Sequence, residues 1–174
     1  EDYWAAAIEF ADSVGVDVVN TSLGYYHFDE GYEPYRYRDL DGHTSLMSHS
    51  ASMATDKGIV VVCSAGNSGA DAWKKVTPPG DAEDVLVVGA LTKNLINAEF
   101  SSIGNTTDGR IKPDVMAIGA PSVVSGKDGT VSKANGTSFA SPTMCGVVVC
   151  FWQSCPWLTA KELVKAVQQA GDRV

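Results

Sequence analysis

The chain has 174 residues, of which 44% are hydrophobic and 20% are charged, a composition typical of one globular domain with a buried core. The net charge of -8 argues against nucleic acid as a partner, because phosphate binding needs clustered basic side chains. The longest apolar stretch, residues 144–152, is about half of what a transmembrane helix needs. We therefore predict no membrane partner, and the chain opens without a signal-peptide pattern.

Hydrophobic periodicity predicts a helix followed by a strand at the start of the chain. Trp4, Ile8 and Ala11 recur at helical spacing, and Gly15 ends the helix. The valine-rich segment over residues 16–20 then predicts a buried strand.

The same helix–strand unit is repeated further along the chain. A helix predicted over residues 44–57 ends at Gly58 and precedes the β-branched run 59–63. A third apolar run, 85–90, follows a turn at residues 78–80 with no convincing helix between them. Strands that are apolar throughout are typical of parallel sheets covered on both sides. We therefore predict an α/β fold in which a parallel sheet has helices on both faces.

The second half of the sequence predicts short strands and then two helices. Residues 91–131 are rich in Gly, Ser, Asn, Asp and Pro, which predicts turns and short strands. Ser138 opens a helix whose residues 144–152 are apolar on all sides, so we expect this helix to pass through the centre of the protein. Thr159 and Glu162 form a capping-box pattern that starts the last helix.

The four cysteines lack the spacing and the nearby histidines of a zinc site. Three of them lie in apolar runs, so we interpret most as small buried hydrophobic residues. A disulfide that involves Cys155 is the alternative. The spacing predicts neither a metal site nor a cofactor.

Polar segments follow two of the predicted strands, and a serine opens the apolar helix. Residues 20–24 (Asn-Thr-Ser-Leu-Gly) follow the first strand, and residues 64–69 (Ser-Ala-Gly-Asn-Ser-Gly) follow the second. Ligands meet parallel sheets at the carboxyl ends of the strands, so we expect these segments and Ser138 to gather at one edge. A serine at a helix start lies beside free backbone amides that can stabilise negative charge, although such a serine is often only a cap.

Residues 136–142 (Gly-Thr-Ser-Phe-Ala-Ser-Pro) resemble the nucleophile signature of the subtilisin-like serine peptidases, the subtilases. Three further parts of the chain agree with the family in order and approximate spacing: 22–24, 65–67, and 100–104 followed by 112–117. The resemblance covers nearly the whole chain. It implies a serine endopeptidase that hydrolyses peptide bonds through an acyl-enzyme.

The resemblance implies a role for each candidate site residue. Ser138 is expected to be the nucleophile, and the Asn67 carboxamide, with the Ser138 amide, to form the oxyanion hole. Substrate binding, mainly through the backbone, is implied for Ser22, Leu23, Gly24, Ala65 and Gly66. Judged without the family, Asn67 also fits a simple turn and Gly24 a strand end. Pro79 stands where the family has a proline after a cis peptide bond.

The resemblance also indicates which parts of a subtilase this sequence lacks. The family's catalytic Asp and His precede the serine, yet neither an Asp-Ser/Thr-Gly nor a His-Gly-Thr segment occurs ahead of Ser22. His43, within Gly-His-Thr, has the inverted order, and we interpret it as an exposed residue near a helix start. Because an unassisted serine hydroxyl is a weak nucleophile, we expect the isolated chain to be inactive.

Domain organisation and partners follow from the same resemblance. We interpret residues 1–174 as the C-terminal part of a catalytic domain, truncated at both ends, since the sequence stops at 172–174 directly after a helix. The family implies a peptide or protein substrate and a secreted or cell-envelope location. Calcium occurs in the family, but no motif here places a site. We expect self-association through the incomplete sheet.

Two other functions compete with this interpretation. A non-catalytic pseudopeptidase or peptide-binding module would lack the Asp and His altogether. An esterase is disfavoured because residues 136–140 do not form the Gly-x-Ser-x-Gly nucleophile elbow.

Overall fold

A parallel sheet forms the centre of the protein, which the computed structural model describes over residues 1–171. The strands are β1 (Val18–Thr21), β2 (Val60–Ser64), β3 (Leu86–Thr92), β4 (Gly104–Asn105), β5 (Ile111–Lys112), β6 (Val115–Ala120), β7 (Ser122–Ser125) and β8 (Val131–Ala134). Four of them pair in parallel in the order β1-β2-β3-β6. The remaining strands form the antiparallel pairs β4–β5 and β7–β8. The predicted parallel sheet is confirmed.

Helices cover both faces of this sheet, as predicted. They are α1 (Asp2–Ser13), α2 (Leu46–Asp56), α3 (Thr137–Ser154) and α4 (Ala160–Ala170). Alternate residues of β2 point to opposite faces: Val60 and Val62 pack in a cluster with α3 and α4, whereas Val61 and Cys63 pack in a cluster with α1 and α2. This two-sided burial explains why β2 has no polar residue before Ser64.

The helix starts differ slightly from those that the sequence predicts. The cap of α2 is Ser45, whose hydroxyl accepts a hydrogen bond from the Ser48 amide. The preceding turn is capped separately by Asp41, whose Oδ1 accepts the amides of His43 and Thr44. The capping box at the start of α4 is present as predicted.

The expectation that α3 passes through the centre of the protein is wrong for the described residues. α3 lies on one face of the sheet and contacts all four of its strands. Ala140 and Val148 on its inner side are fully buried, but Val147 and Val149 on its outer side are 55% and 37% exposed. The outer side is exposed because none of residues 1–171 covers it. Residues 172–174, where we expected truncation, lie outside the described residues.

The prediction that most of the four cysteines are buried is wrong, because one is exposed and two are only half-buried. All four thiols are free, and only Cys63 is fully buried, where burial raises its pKa to about 12. Cys145 and Cys155 are half-buried, and Cys150 is exposed on α3. The described part of the chain contains no cluster of three or more His, Cys, Asp or Glu side chains suited to hold a metal ion. Among the same residues, no helix is both long enough and apolar enough to cross a membrane.

Candidate active site

A cleft with a volume of about 260 Å³ opens where β1 and β2 end and α3 begins. Its lining brings together six of the seven predicted site residues: Ser22, Leu23, Gly24, Gly66, Asn67 and Ser138. The seventh, Ala65, is fully buried, and its amide and carbonyl are bonded to Val88 and Thr77, so it lies behind the lining of the cleft. The carboxyl ends of the strands therefore meet at one edge of the sheet, as the sequence predicts.

Ser138 lies in the first turn of α3 and is tied to the end of β1. Its hydroxyl donates a hydrogen bond to the carbonyl of Ser22 over 3.3 Å, and the Ser22 hydroxyl donates to the carbonyl of Ser138 over 3.0 Å. The backbone amide of Ser138 has no acceptor among the described residues. Amides in the first turn of a helix have no intrahelical partner, so this one is free to bind a ligand.

The side chain of Asn67 is held in one orientation by Thr137. Its Oδ1 atom accepts hydrogen bonds from the backbone amide of Thr137 over 2.9 Å and from the Thr137 hydroxyl over 3.0 Å. Thr137 Oγ1 in turn accepts the amide of Gly66 over 3.2 Å. The Asn67 Nδ2 atom is left without an acceptor in the described part of the chain, so it is a free donor beside the first turn of α3.

A serine behind the cleft fixes the backbone of Gly66. The amide of Ser102 donates to the carbonyl of Gly66 over 2.9 Å, and Ser102 Oγ accepts the amide of Ser68 over 3.0 Å. Gly66 has φ of +104°, and a Cβ there would lie 2.9 Å from Ser102 Oγ. Both facts require glycine at this position. The motif at 100–104 therefore supports the wall of the cleft, a role that the sequence alone does not assign.

The cleft is also lined by Thr77, which lies two residues before the predicted Pro79 and was not among the predicted site residues. The amide of Thr77 donates to the carbonyl of Ala65 over 3.3 Å, and the amide of Tyr25 donates to the carbonyl of Pro78 over 3.2 Å. The peptide bond before Pro79 is cis, as predicted. A threonine in a proline-rich turn carries no functional signal in a sequence, so Thr77 could be found only from its position.

Asn20 is a second residue that the sequence analysis did not select. Its Nδ2 donates to Ser22 Oγ over 2.9 Å, and its Oδ1 accepts the Ser141 hydroxyl over 2.7 Å. Asn20 thus connects the end of β1 to the second turn of α3. The sequence placed it in the polar segment 20–24 expected at this edge, but it gave Asn20 no role of its own.

No histidine within residues 1–171 forms a hydrogen bond with the Ser138 hydroxyl. That hydroxyl makes one hydrogen bond in this part of the chain, to the Ser22 carbonyl. The side chain of His43 is 61% exposed, and its Nε2 lies 3.8 Å from Glu83 Oε1. The prediction that His43 is an exposed residue is confirmed. His27 and His49 are exposed as well.

Comparison with known proteins places this geometry in a family. The model of the subtilase family matches residues 2–171. Subtilisin DY of Bacillus licheniformis is 32% identical over 91% of this chain and 50% of its own length. Serine protease AprX of Bacillus subtilis is 33% identical over 91% of this chain and 38% of its own length. The chain thus spans half or less of the length of these curated relatives.

Solved structures agree with the sequence comparison. The patellamide maturation protease PatA superimposes with a TM-score of 0.69 and 26% identity, over 95% of this chain and 54% of that one. A cold-adapted subtilisin-like serine proteinase superimposes with a TM-score of 0.71 over 95% of this chain and 52% of that one, and its 24% identity supports the fold alone. The family match over residues 2–171, the curated relatives and the common fold show that this chain belongs to the subtilase family.

Proposed function

We propose that this chain carries the nucleophile and the oxyanion hole of a subtilisin-type serine endopeptidase. In the proposed reaction, Ser138 Oγ attacks the carbonyl carbon of a peptide bond and its proton passes to a general base. The charge that develops on the carbonyl oxygen is stabilised by Asn67 Nδ2 and the Ser138 amide. The C–N bond then breaks, the amine leaves with the proton, and water hydrolyses the acyl ester to free Ser138.

The orientation of the Asn67 carboxamide is the observation that carries this proposal. The backbone amide of Thr137 is a donor only, so the atom that faces it must be the carboxamide oxygen. The opposite orientation would place two donors against each other and an acceptor in the cleft, where it would repel an oxyanion. The network of Thr137 therefore leaves the Asn67 Nδ2 donor unbonded, which supports its proposed role in the oxyanion hole.

The base and its orienting carboxylate come, in this proposal, from residues outside this sequence. Within residues 1–171 the Ser138 hydroxyl donates only to a backbone carbonyl, which is not a general base at neutral pH. We infer that the chain alone is inactive toward peptides. We also infer, from the family, peptide or protein substrates and a secreted or cell-envelope location for the whole protein.

The test compares the product of the complete coding region with this chain alone. We expect the complete protein to cleave a quenched fluorescent peptide and its Ser138→Ala variant to fall to background. Ser132→Ala, an exposed serine on β8, is the matched control and should retain full activity. This chain alone should neither cleave the peptide nor be labelled rapidly by a fluorophosphonate.

Two results would contradict parts of the proposal. Rapid stoichiometric labelling of Ser138 in the isolated chain would show that a base is already present. A complete protein that has no upstream Asp and His motifs, and binds peptides without cleaving them, would instead be a peptide-binding module.

A further inference from the structure

Three polar side chains connect the end of β1 to the turn of α3 that carries Ser138. We infer that Asn20 is a positioning residue of the peptidase, which acts through Ser22 and Ser141 to hold the nucleophile in place against the predicted substrate-binding segment. Asn20 does not touch the reacting atoms itself. This inference rests on the proposed function, because it assumes that Ser138 attacks a substrate that is paired with residues 22–24.

The start of α3 lacks one hydrogen bond of a regular helix. The carbonyl of Ser138 would normally accept from the amide four residues later, but that residue is Pro142, which has no N–H. The hydroxyl of Ser22 donates to this carbonyl instead, over 3.0 Å. A residue of the predicted substrate-binding segment therefore supplies the donor that the helix lacks at the nucleophile.

Asn20 orients the hydroxyl of Ser22. The Ser138 carbonyl is only an acceptor, so the Ser22 proton must point toward it, and the Ser22 oxygen is left to accept a second hydrogen bond. That bond comes from Asn20 Nδ2 over 2.9 Å. Asn20 Oδ1 accepts from the Ser141 hydroxyl over 2.7 Å. A reversed carboxamide would place two acceptors against each other at Ser22, so only this orientation satisfies the network.

The network closes into a ring, because Ser138 and Ser141 lie three residues apart in the same helix. Side chains of β1 alternate between the two faces of the sheet, and Val18 packs in the cluster that contains residues of α3. Asn20, two residues further on, therefore faces α3 as well. Ser141 is fully buried, and its hydroxyl makes one hydrogen bond within residues 1–171, to Asn20. The end of β1 is thus bonded to α3 through two different side chains.

The ring controls a distance on which the proposed reaction depends. Ser138 Oγ lies 3.3 Å from the carbonyl oxygen of Ser22, in the segment where the substrate is expected to pair. A misplacement of about 1 Å between reacting groups can cost about 10²-fold in rate. Without the Asn20 donor, the Ser22 hydroxyl can rotate away from the Ser138 carbonyl. Backbone pairing with the substrate does not need that hydroxyl, so turnover is expected to fall rather than affinity.

Asn20→Asp tests the inference in the complete protein, because a carboxylate still accepts from Ser141 but cannot donate to Ser22. We expect kcat to fall about 10-fold with little change in KM, part of the cost of a full misplacement. Asn94→Asp makes the same chemical change at an exposed turn residue and should leave both constants unchanged. The pH profile of kcat separates position from charge: a positioning defect lowers the whole profile, whereas an added charge that acts on the general base shifts it along the pH axis.

A double-mutant cycle tests whether Asn20 acts through Ser22. Ser22→Ala removes one hydroxyl and should lower kcat about 10-fold as well. The double variant should be no slower than either single variant, because the same connection is broken in all three. Independent effects would instead multiply to about 100-fold. Ser22→Ala also serves as the second variant if Asn20→Asp does not fold, as checked by thermal unfolding.

The ring can be observed in this chain without any catalytic activity. In proton–nitrogen correlation spectra, the side-chain amide signals of Asn20 should shift in Ser22→Ala and in Ser141→Ala. They should stay in place in Ser132→Ala, the exposed position on β8. Asn20 signals that do not change in Ser22→Ala would overturn the inference.

Three kinetic results in an active complete protein would also overturn it. They are an unchanged kcat in Asn20→Asp, a shifted pH profile with an unchanged maximum, and multiplied effects in the double variant. In each case the loss of cleavage in Ser138→Ala would leave the proposed function intact. A complete protein that cleaves no peptide would contradict the proposed function, and the positioning role with it.

Discussion

The chemistry proposed for the cleft depends on one threonine beside the nucleophile. Thr137 is fully buried, and it orients Asn67 through its amide and its hydroxyl while accepting the Gly66 amide. Three hydrogen bonds thus join the start of α3 to the segment after β2. A serine in this place would be less fixed, since the β-branched side chain of threonine restricts χ1.

Replacing Thr137 with valine should lower the turnover of the active complete protein more than it changes KM. The variant keeps the backbone bond to Asn67 but loses both bonds of the hydroxyl, so the Asn67 donor is less well oriented in the transition state. We expect kcat to fall about 10-fold. Removal of an entire oxyanion-hole donor lowers kcat by about 10²–10³-fold, a magnitude taken from subtilisin.

Steady-state kinetics on one peptide substrate would measure this effect. Thr143→Val, an exposed position further along α3, serves as the control and should leave kcat unchanged. A rise in KM at constant kcat would show instead that Thr137 contributes to ground-state binding.

Among the smaller elements, the β4–β5 hairpin is held by an aspartate in its turn. Asp108 accepts hydrogen bonds from the Thr106 hydroxyl and from Arg110 Nε. Partial burial would raise the Asp108 pKa, but the hydrogen bonds from Arg110 and Thr106 outweigh it and lower the pKa to about 2. Arg110 also donates from Nη1 to the Ala82 carbonyl over 3.1 Å, which attaches the hairpin to the segment before β3.

Asp108→Asn should change how stability depends on pH. The folded-state pKa is below the ordinary value of 3.8, so the ionised carboxylate stabilises the fold above about pH 4, and this contribution is lost as the pH falls through about 2. The difference in the free energy of unfolding between the original chain and the variant should therefore shrink between pH 4 and pH 2. Urea unfolding at several pH values would measure it.

Asp71→Asn is a suitable comparison, because Asp71 is exposed and its side chain makes no hydrogen bond within residues 1–171. The difference in the free energy of unfolding between Asp71→Asn and the original chain should vary less with pH. If the difference in the free energy of unfolding between Asp108→Asn and the original chain stays constant from pH 4 to pH 2, the ionised Asp108 carboxylate does not stabilise the fold as assigned.

At the scale of the whole molecule, an apolar surface runs from α3 to the edge of the sheet. A groove of about 370 Å³ is lined by Val18 at the start of β1 and by Val149 and Trp152 on α3. β1 pairs only with β2 among the described strands, so its outer edge has free backbone groups. An open strand edge beside exposed apolar side chains favours pairing with another chain.

We therefore expect the isolated chain to associate with a second copy, and Val149→Lys to weaken this association by placing a charge in the groove. Sedimentation velocity at several concentrations would detect it as a fall in the weight-average sedimentation coefficient. Val123→Lys, at a position 70% exposed on β7 and outside this groove, should have no such effect. A monomer at all concentrations for the original chain would contradict the prediction.

The sequence predicts those parts of the fold that depend on neighbouring residues. The apolar run of β2, the capping box of Thr159 and Glu162, and the motif around Ser138 are all local patterns. The exposed side of α3 is not predicted, because burial depends on what the rest of the molecule places against a helix. Thr77 and Asn20 were missed for the same reason, since both act through partners that are remote in sequence.

The hydrogen bonds that assemble the cleft have a consequence for folding. Asn67 and Thr137 are 70 residues apart, and the hydroxyl bonds between Ser22 and Ser138 span 116 residues. Closing such long loops costs chain entropy, and non-local contacts of this kind slow folding. No early, locally folded intermediate can contain the cleft. Any substitution that destabilises the sheet therefore lowers the population of formed sites along with the population of folded protein.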